Sequence, residues 1–180
     1  MWVVAAARKV QSFFPLDNAG ALGWMAGMEI DVIIEAPEWR EAGLEALALW
    51  AAKALAEHLG LGAGCEAVVL GCDDARITTL NGDFRDKAAP TNVLSWPSED
   101  RDPNGSPPAG EELGDVAIAF QTCAREAADQ GKPFSDHVTH LLVHGILHLL
   151  GYDHMCEKEA AEMERIEVEI LAKLGVADPY

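Results

Sequence analysis

The sequence predicts an α+β fold: one small mixed sheet of about four strands with about five helices, an α/β/α-like sandwich. Three observations carry this. Several short stretches alternate apolar and polar residues, or run apolar, as strands do. Longer stretches between them repeat apolar residues at three- and four-residue steps, as helices do. The chain has 180 residues, 49% of them hydrophobic, which suits one domain with a real core.

Residues 1–27 contain Pro15, Gly20, Gly23 and Gly27 and sustain no period. They read as a weakly ordered N-terminal extension, with one folded domain over 28–180. Met28–Glu35 is the first strand, with Ile30, Val32 and Ile34 on one face. Glu38–Leu59 reads as one long helix through Leu44, Leu47, Ala51, Leu55 and Leu59, stopped by Gly60, with Trp50 anchoring its buried side. Glu66–Cys72 is a second strand. Asp73 and Asp74 cap a short helix through Leu80 that Asn81-Gly82 ends. Asn92–Trp96, bounded by Pro90 and Pro97, is a third strand, and 97–114 is loop. Gly114–Phe120 is a fourth, with Val116, Ile118 and Phe120 alternating. Gln121–Gln130 is a helix. Ser135 or Asp136 caps the next, which runs to about Leu150. Glu157–Leu174 is a last amphipathic helix with Met163, Ile166, Ile170 and Leu174 inward. No internal repeat is present, and the pattern does not set strand order.

Charge and composition narrow the function classes. A formal net charge of −17 opposes indiscriminate nucleic-acid binding, DNA included, because phosphate attraction dominates that term; a local basic cleft remains compatible with it. Glu99, Asp100, Asp102, Glu111, Glu112 and Glu157 are expected to face water and serve solubility. No apolar run is long enough to span a bilayer, so no membrane partner is expected. The apolar start precedes Arg8 and Lys9, the reverse of a secretory signal, and the chain is expected in the cytoplasm. Cys65, Cys72, Cys123 and Cys156 form no C-x-x-C pair and are expected to be reduced.

The stretch His144-Gly-Ile-Leu-His148-Leu-Leu-Gly151-Tyr-Asp-His154 is the most informative. On a helix, His144 and His148 share a face one turn apart. Gly151 ends the helix in a left-handed turn and lets His154 close a third corner. Three neutral imidazoles hold a divalent ion at about 2.0–2.1 Å and leave a coordination position open, as catalytic zinc sites do. A lone histidine on an apolar face is usually a packing residue; three at this spacing point to one divalent ion, Zn2+ above others. Cys156, two residues after His154, is a candidate further ligand. Asp153 is read as a turn former, a supporting hydrogen-bond partner or a base. His137 and His140 extend the polar stripe without being made ligands. The same spacing occurs in metzincin peptidases, which carry a glutamate base directly after the first histidine. Gly145 stands there instead.

A second segment, Leu80–Pro97, carries Arg85 and Lys87 in an otherwise acidic chain. An arginine beside a metal suits a phosphodiester: its planar fork binds phosphate and stabilises the negative charge of the transition state. A surface loop with Arg85 paired to Asp83 or Asp86 is an equally open reading.

Together the two segments resemble the YbeY family of bacterial ribosome-associated endoribonucleases. The matching residues are Leu80-Asn81, Phe84-Arg85, Lys87, Pro90 to Ser95, Gly114-Asp115-Val116, Ile118, and His144-Gly145 through Leu147-His148-Leu149 to Gly151-Tyr152-Asp153-His154. With the first strand and helix, the resemblance spans about 28–174. It implies a metal, usually zinc, on His144, His148 and His154, and Arg85 lining an active cleft. It implies cleavage of single-stranded RNA, maturation of the small-subunit ribosomal RNA 3′ end, ribosome quality control, and the ribosome or its proteins as partners. Phe84, Ala88 and Trp96 depart from the commoner family residues without removing a ligand, and 1–27 have no counterpart. The general base stays unassigned, and water and the RNA 2′-hydroxyl stay open as nucleophiles. Two other readings are a non-catalytic ribosome assembly factor with a structural metal, which needs a fourth ligand, and a metzincin-like peptidase without its base.

Overall fold

The computed structural model describes residues 27–85, 87–106 and 108–180; the expected extension, but for Gly27, lies outside the described residues. Strands β1 (Met28–Ile34), β2 (Cys65–Cys72), β3 (Val93–Pro97) and β4 (Glu112–Ala119) form one sheet in the order β1-β2-β4-β3. β1, β2 and β4 are parallel and β3 runs antiparallel to β4, so the sheet is mixed as expected. The helices are α1 (Glu38–Glu41), α2 (Leu44–Leu59), α3 (Asp74–Arg85), α4 (Phe120–Gln130), α5 (Phe134–Leu149) and α6 (Glu157–Lys173). The α+β class is borne out, with six helices among the described residues where about five were expected.

Two layers of core flank the sheet. On one face Val69, Val116 and Ile118 pack against apolar residues of α2, α5 and α6. On the other, Leu70, Cys72, Leu94, Trp96, Ala117 and Ala119 pack against Ile77 and Leu80 of α3. The alternation of β4 produces this split, since successive strand residues point to opposite faces.

The structure corrects five readings. The single helix over Glu38–Leu59 is two, because Gly43 takes the left-handed conformation (φ 73°) and interrupts the backbone ladder. The break frees Trp39 to fill the core: it is fully buried, its Nε1 donates to the Cys72 carbonyl at 3.0 Å, and its ring lies 5.1 Å from Phe120 and 5.8 Å from Phe134. Trp50 is not a buried anchor. It is 60% exposed, because it stands about 200° around α2 from buried Ala48. α3 does not stop at Asn81-Gly82 but runs to Arg85. Asn81 instead donates its amide to the Ala89 carbonyl at 2.8 Å and holds the returning loop, while Asp73 caps as expected by accepting from Arg76 N at 2.7 Å. β4 begins two residues earlier than expected and yields Phe120 to α4, and α5 starts behind Pro133 without the side-chain cap expected from Ser135 or Asp136.

The 98–111 connection is fastened to the rest by Arg101. Its guanidinium, 9% exposed, donates to the carbonyls of Glu112 (2.9 Å), Leu149 (3.2 Å) and Leu113 (3.3 Å) and to Ser98 Oγ (3.0 Å). Glu99 and Glu111 sit on its outer edge at 3.3 and 3.5 Å. Cys65, Cys72 and Cys123 are buried, and burial pushes their thiols up; Cys156 is exposed. Among the described residues no helix is long and apolar enough to cross a membrane.

Asp115 is a buried acid on β4, 7% exposed and in register with Val68 and Trp96. Burial, then the nearby charge of Glu112, pushes its carboxyl up to about 6 from 3.8. A carboxyl raised on folding costs no stability below its unfolded value, costs increasingly as pH climbs from there to its folded value, and costs a constant amount above it. Asp115→Asn is therefore expected to stabilise the fold by about 1–3 kcal/mol near neutral pH. The gain should shrink toward zero near about pH 4, read as thermal midpoints across that range; a gain independent of pH would contradict this cause.

Candidate metal centre

The centre is built where α5 ends. Packing along α5 sends Leu142, Ile146, Leu147 and Leu149 into the core, which leaves His140, His144 and His148 as a half-buried stripe four residues apart. Gly145 lets this helix press onto the sheet: a Cβ there would stand 3.0 Å from Val116 Cγ1 and 3.2 Å from Ser95 Oγ, and Ser95 donates to the Gly145 carbonyl at 3.0 Å. Gly151 turns the chain at φ 89°, and a Cβ on it would meet the Arg101 carbonyl oxygen at 2.1 Å. The turn brings His154 back over the stripe. The ligand-capable atoms of His144, His148 and His154 all lie within 4.8 Å of one another, so the three residues singled out by spacing are gathered in space.

The partners of the rings assign their protons. His144 Nδ1 donates to Glu167 Oε1 at 2.7 Å. His148 Nδ1 donates to the Tyr152 carbonyl at 2.9 Å. A carbonyl only accepts, and so does an ionised carboxylate, so each neutral ring carries its proton on Nδ1 and presents a bare lone pair at Nε2. Those two Nε2 atoms face each other at 3.1 Å. With no proton between them the lone pairs repel, and a cation held by both relieves this. Two bonds of about 2.0–2.1 Å at a tetrahedral angle span roughly 3.3 Å, which the separation matches. Burial, then the neighbouring His144 and His154, pushes the His148 ring down to about 4, so it stays unprotonated and able to ligate at neutral pH. The donor set fits a divalent ion, zinc included.

Glu167 is the functional residue that the sequence reading missed. It lies fully buried on α6. Burial by itself raises a carboxyl, but contacts with His140, His144 and Tyr180 outweigh it and hold Glu167 at about 2. A carboxylate on the far nitrogen of a ligating imidazole fixes ring orientation and strengthens its donor atom. His140, Glu167 and His144 form a second ligand-capable group that shares His144. In it both Glu167 oxygens are engaged, Oε1 by His144 and Oε2 by the Tyr180 hydroxyl.

The remaining candidates fall into place. Asp153 is exposed and accepts from His154 N at 2.7 Å, a turn role. His137 is buried and pairs with Glu126 at 2.9 Å, tying α5 to α4. Cys156 is exposed at the start of α6 and belongs to neither ligand-capable group. Arg85 is the last residue of α3; its side chain lies outside the described part of the structure. Beside it Phe84 packs on Trp96 with ring centroids 5.2 Å apart.

Comparison with known proteins agrees with this geometry. The family described as Endoribonuclease YbeY matches residues 30–175. Proteins called Endoribonuclease YbeY from Paracoccus denitrificans and Cereibacter sphaeroides are 55% and 57% identical, each over 84% of this chain and over 89% and 98% of their own. One of the same name from Rhodopseudomonas palustris is 47% identical over 92% of this chain and 88% of its own. A solution structure from Thermotoga maritima shares 20% identity with a TM-score of 0.53, over 82% of this chain and 92% of that one, a likeness of fold alone. The paired imidazoles, the glycine turn and these relatives converge: the chain belongs to the YbeY family.

Proposed function

We propose that this chain is a zinc-dependent endoribonuclease that cuts single-stranded RNA during ribosomal RNA processing, at the small-subunit 3′ end, and in ribosome quality control. It works as one domain over residues 28–180, in the cytoplasm. His144, His148 and His154 hold the ion, and Arg85 binds phosphate. The observation that carries this reading is the pair of facing Nε2 atoms 3.1 Å apart, in a chain whose relatives bear the name Endoribonuclease YbeY.

When bound, the ion supplies Lewis-acid polarisation of a phosphoryl oxygen and a lowered pKa for a coordinated water. The chain's own residues do the rest. Glu167 and the Tyr152 carbonyl hold the two helical imidazoles in the ligating tautomer. Arg85, at the end of α3, offers a planar donor fork to a non-bridging phosphate oxygen as charge develops there. A chain of net charge −17 attracts free RNA weakly, so the ribosome or its proteins deliver the substrate.

Two rival readings meet specific obstacles. A closed structural site needs a fourth protein ligand, and Cys156 stands outside the ligand-capable groups. A peptidase needs a base after the first histidine, and Gly145 there is pressed against Val116 and Ser95.

Purified protein is expected to carry about one zinc per chain by elemental analysis and to cut a single-stranded RNA oligonucleotide, with chelator abolishing cleavage and zinc restoring it. His148→Ala should lose both metal and cleavage. Retention of metal by His148→Ala, or its release by Cys156→Ser, would overturn the open three-histidine site. Arg85→Ala should keep the metal and lower cleavage about 10²–10³-fold; unchanged cleavage would remove Arg85 from the reaction. The termini of the products distinguish the nucleophile, since attack by the 2′-hydroxyl leaves a cyclic phosphate and attack by water does not.

A further inference from the structure

Tyr180 reaches the metal centre through Glu167. Its hydroxyl donates to Glu167 Oε2 while the other oxygen, Oε1, accepts from His144 Nδ1. We propose that Tyr180 is a positioning residue for the metal centre: by holding one oxygen of Glu167 it aims the other at His144. This rests on the reading of His144 as a ligand.

Glu167 is fully buried, so each oxygen needs a partner inside the protein. The last torsion of a glutamate is broad and poorly fixed by its own rotamer. Pinned at one oxygen, the group can swing; pinned at both, its plane is set. His140 is the weaker contact, because its Nε2 lies 3.7 Å from Oε2, beyond hydrogen-bond distance. The Tyr180 hydroxyl is the second pin.

The tyrosine is delivered by the segment beyond α6, which is tied back to that helix and to the turn after α4. Past that helix, Val176 N donates to the Leu171 carbonyl at 3.0 Å, Lys132 Nζ to the Pro179 carbonyl at 2.7 Å, and Tyr180 N to Asp178 Oδ1 at 3.0 Å. The ring meets His140 edge-on with centroids 5.7 Å apart. Yet Tyr180 is 62% exposed, so its ring adds little to the core. What it contributes to the interior is the hydroxyl. A second ion on His140, His144 and Glu167 is disfavoured because it would compete with a hydrogen bond already made to the carboxylate.

The test compares the full chain with Tyr180→Phe, Glu167→Gln and the double variant. Zinc affinity is measured by competition with a chromophoric chelator, and the cobalt(II)-loaded proteins are compared by visible absorption. Tyr180→Phe keeps the ring and should weaken zinc roughly threefold to tenfold, Glu167→Gln roughly 10–100-fold. The double variant should bind no more weakly than Glu167→Gln alone, because the tyrosine acts through the glutamate. The cobalt bands of Tyr180→Phe should shift. If Glu167→Gln does not fold, that spectrum decides. Wild-type affinity and an unmoved cobalt spectrum in Tyr180→Phe would overturn the proposal, as would additive losses or two zinc ions per wild-type chain. His148→Ala separates the levels. If it binds zinc like wild type, the metal site itself is misassigned; if it does not and Tyr180→Phe is unaffected, only the tyrosine assignment falls.

Discussion

The centre depends on two hydrogen bonds that put no proton where the metal is proposed to bind. Glu167 on His144 and the Tyr152 carbonyl on His148 accept at Nδ1, and each thereby frees an Nε2 lone pair. Much of the surrounding structure keeps those acceptors in place. The Tyr152 carbonyl is presented by the turn at Gly151, and that turn fits only because a glycine allows the Arg101 backbone to approach. Arg101 is in turn locked by four donations, one of them to the Leu149 carbonyl at the end of α5. The second acceptor comes from α6, which is held by Met163, Ile166, Ile170 and Leu171 in the same core that carries α5. A fully buried carboxylate is costly by itself, and its satisfied hydrogen bonds offset that cost.

The two glycines of the histidine segment act by clearance as much as by conformation. Gly151 combines both: a positive φ and a backbone contact that any side chain would block. Gly145 is plain helix, and its contribution is contact with Val116 and Ser95. That contact sets how closely α5 lies on β3 and β4, and so where the stripe of imidazoles stands relative to the sheet. The segment therefore encodes the candidate ligands and their spacing together.

The clustering of the three histidines was legible because a helix of known pitch and a glycine stop convert spacing into direction. Glu167 was not, because α6 is rich in acids and one more reads as solvated surface. A signal existed: Met163, Ile166 and Ile170 already mark the buried stripe, and position 167 lies on it, four residues from Met163 and three from Ile170. An acid on the inward stripe of an amphipathic helix is the anomaly to look for. Strand number and the mixed character of the fold followed from periodicity, whereas the order β1-β2-β4-β3 depends on long-range pairing that periodicity does not carry. The misplaced Trp50 has a local cause. One left-handed glycine at 43 broke the helix, and the buried aromatic became Trp39.

A strongly acidic chain and a polyanionic substrate pose an electrostatic problem, and the proposed ligand set answers it. Thiolate or carboxylate ligands would neutralise much of a divalent ion's charge. Three neutral imidazoles leave its formal +2 intact, with the nearest compensating charge one ring away on Glu167. Arg101, bound to the end of α5, is spent on carbonyl groups inside the protein and adds little toward solvent. Attraction for phosphate must then be local, from the ion and from the basic residues of segment 80–97, against a repulsive field from the rest of the surface. Such an arrangement suits a nuclease that engages RNA only when a larger assembly presents it, since diffuse binding along free RNA is suppressed by the same charge that leaves the centre itself attractive.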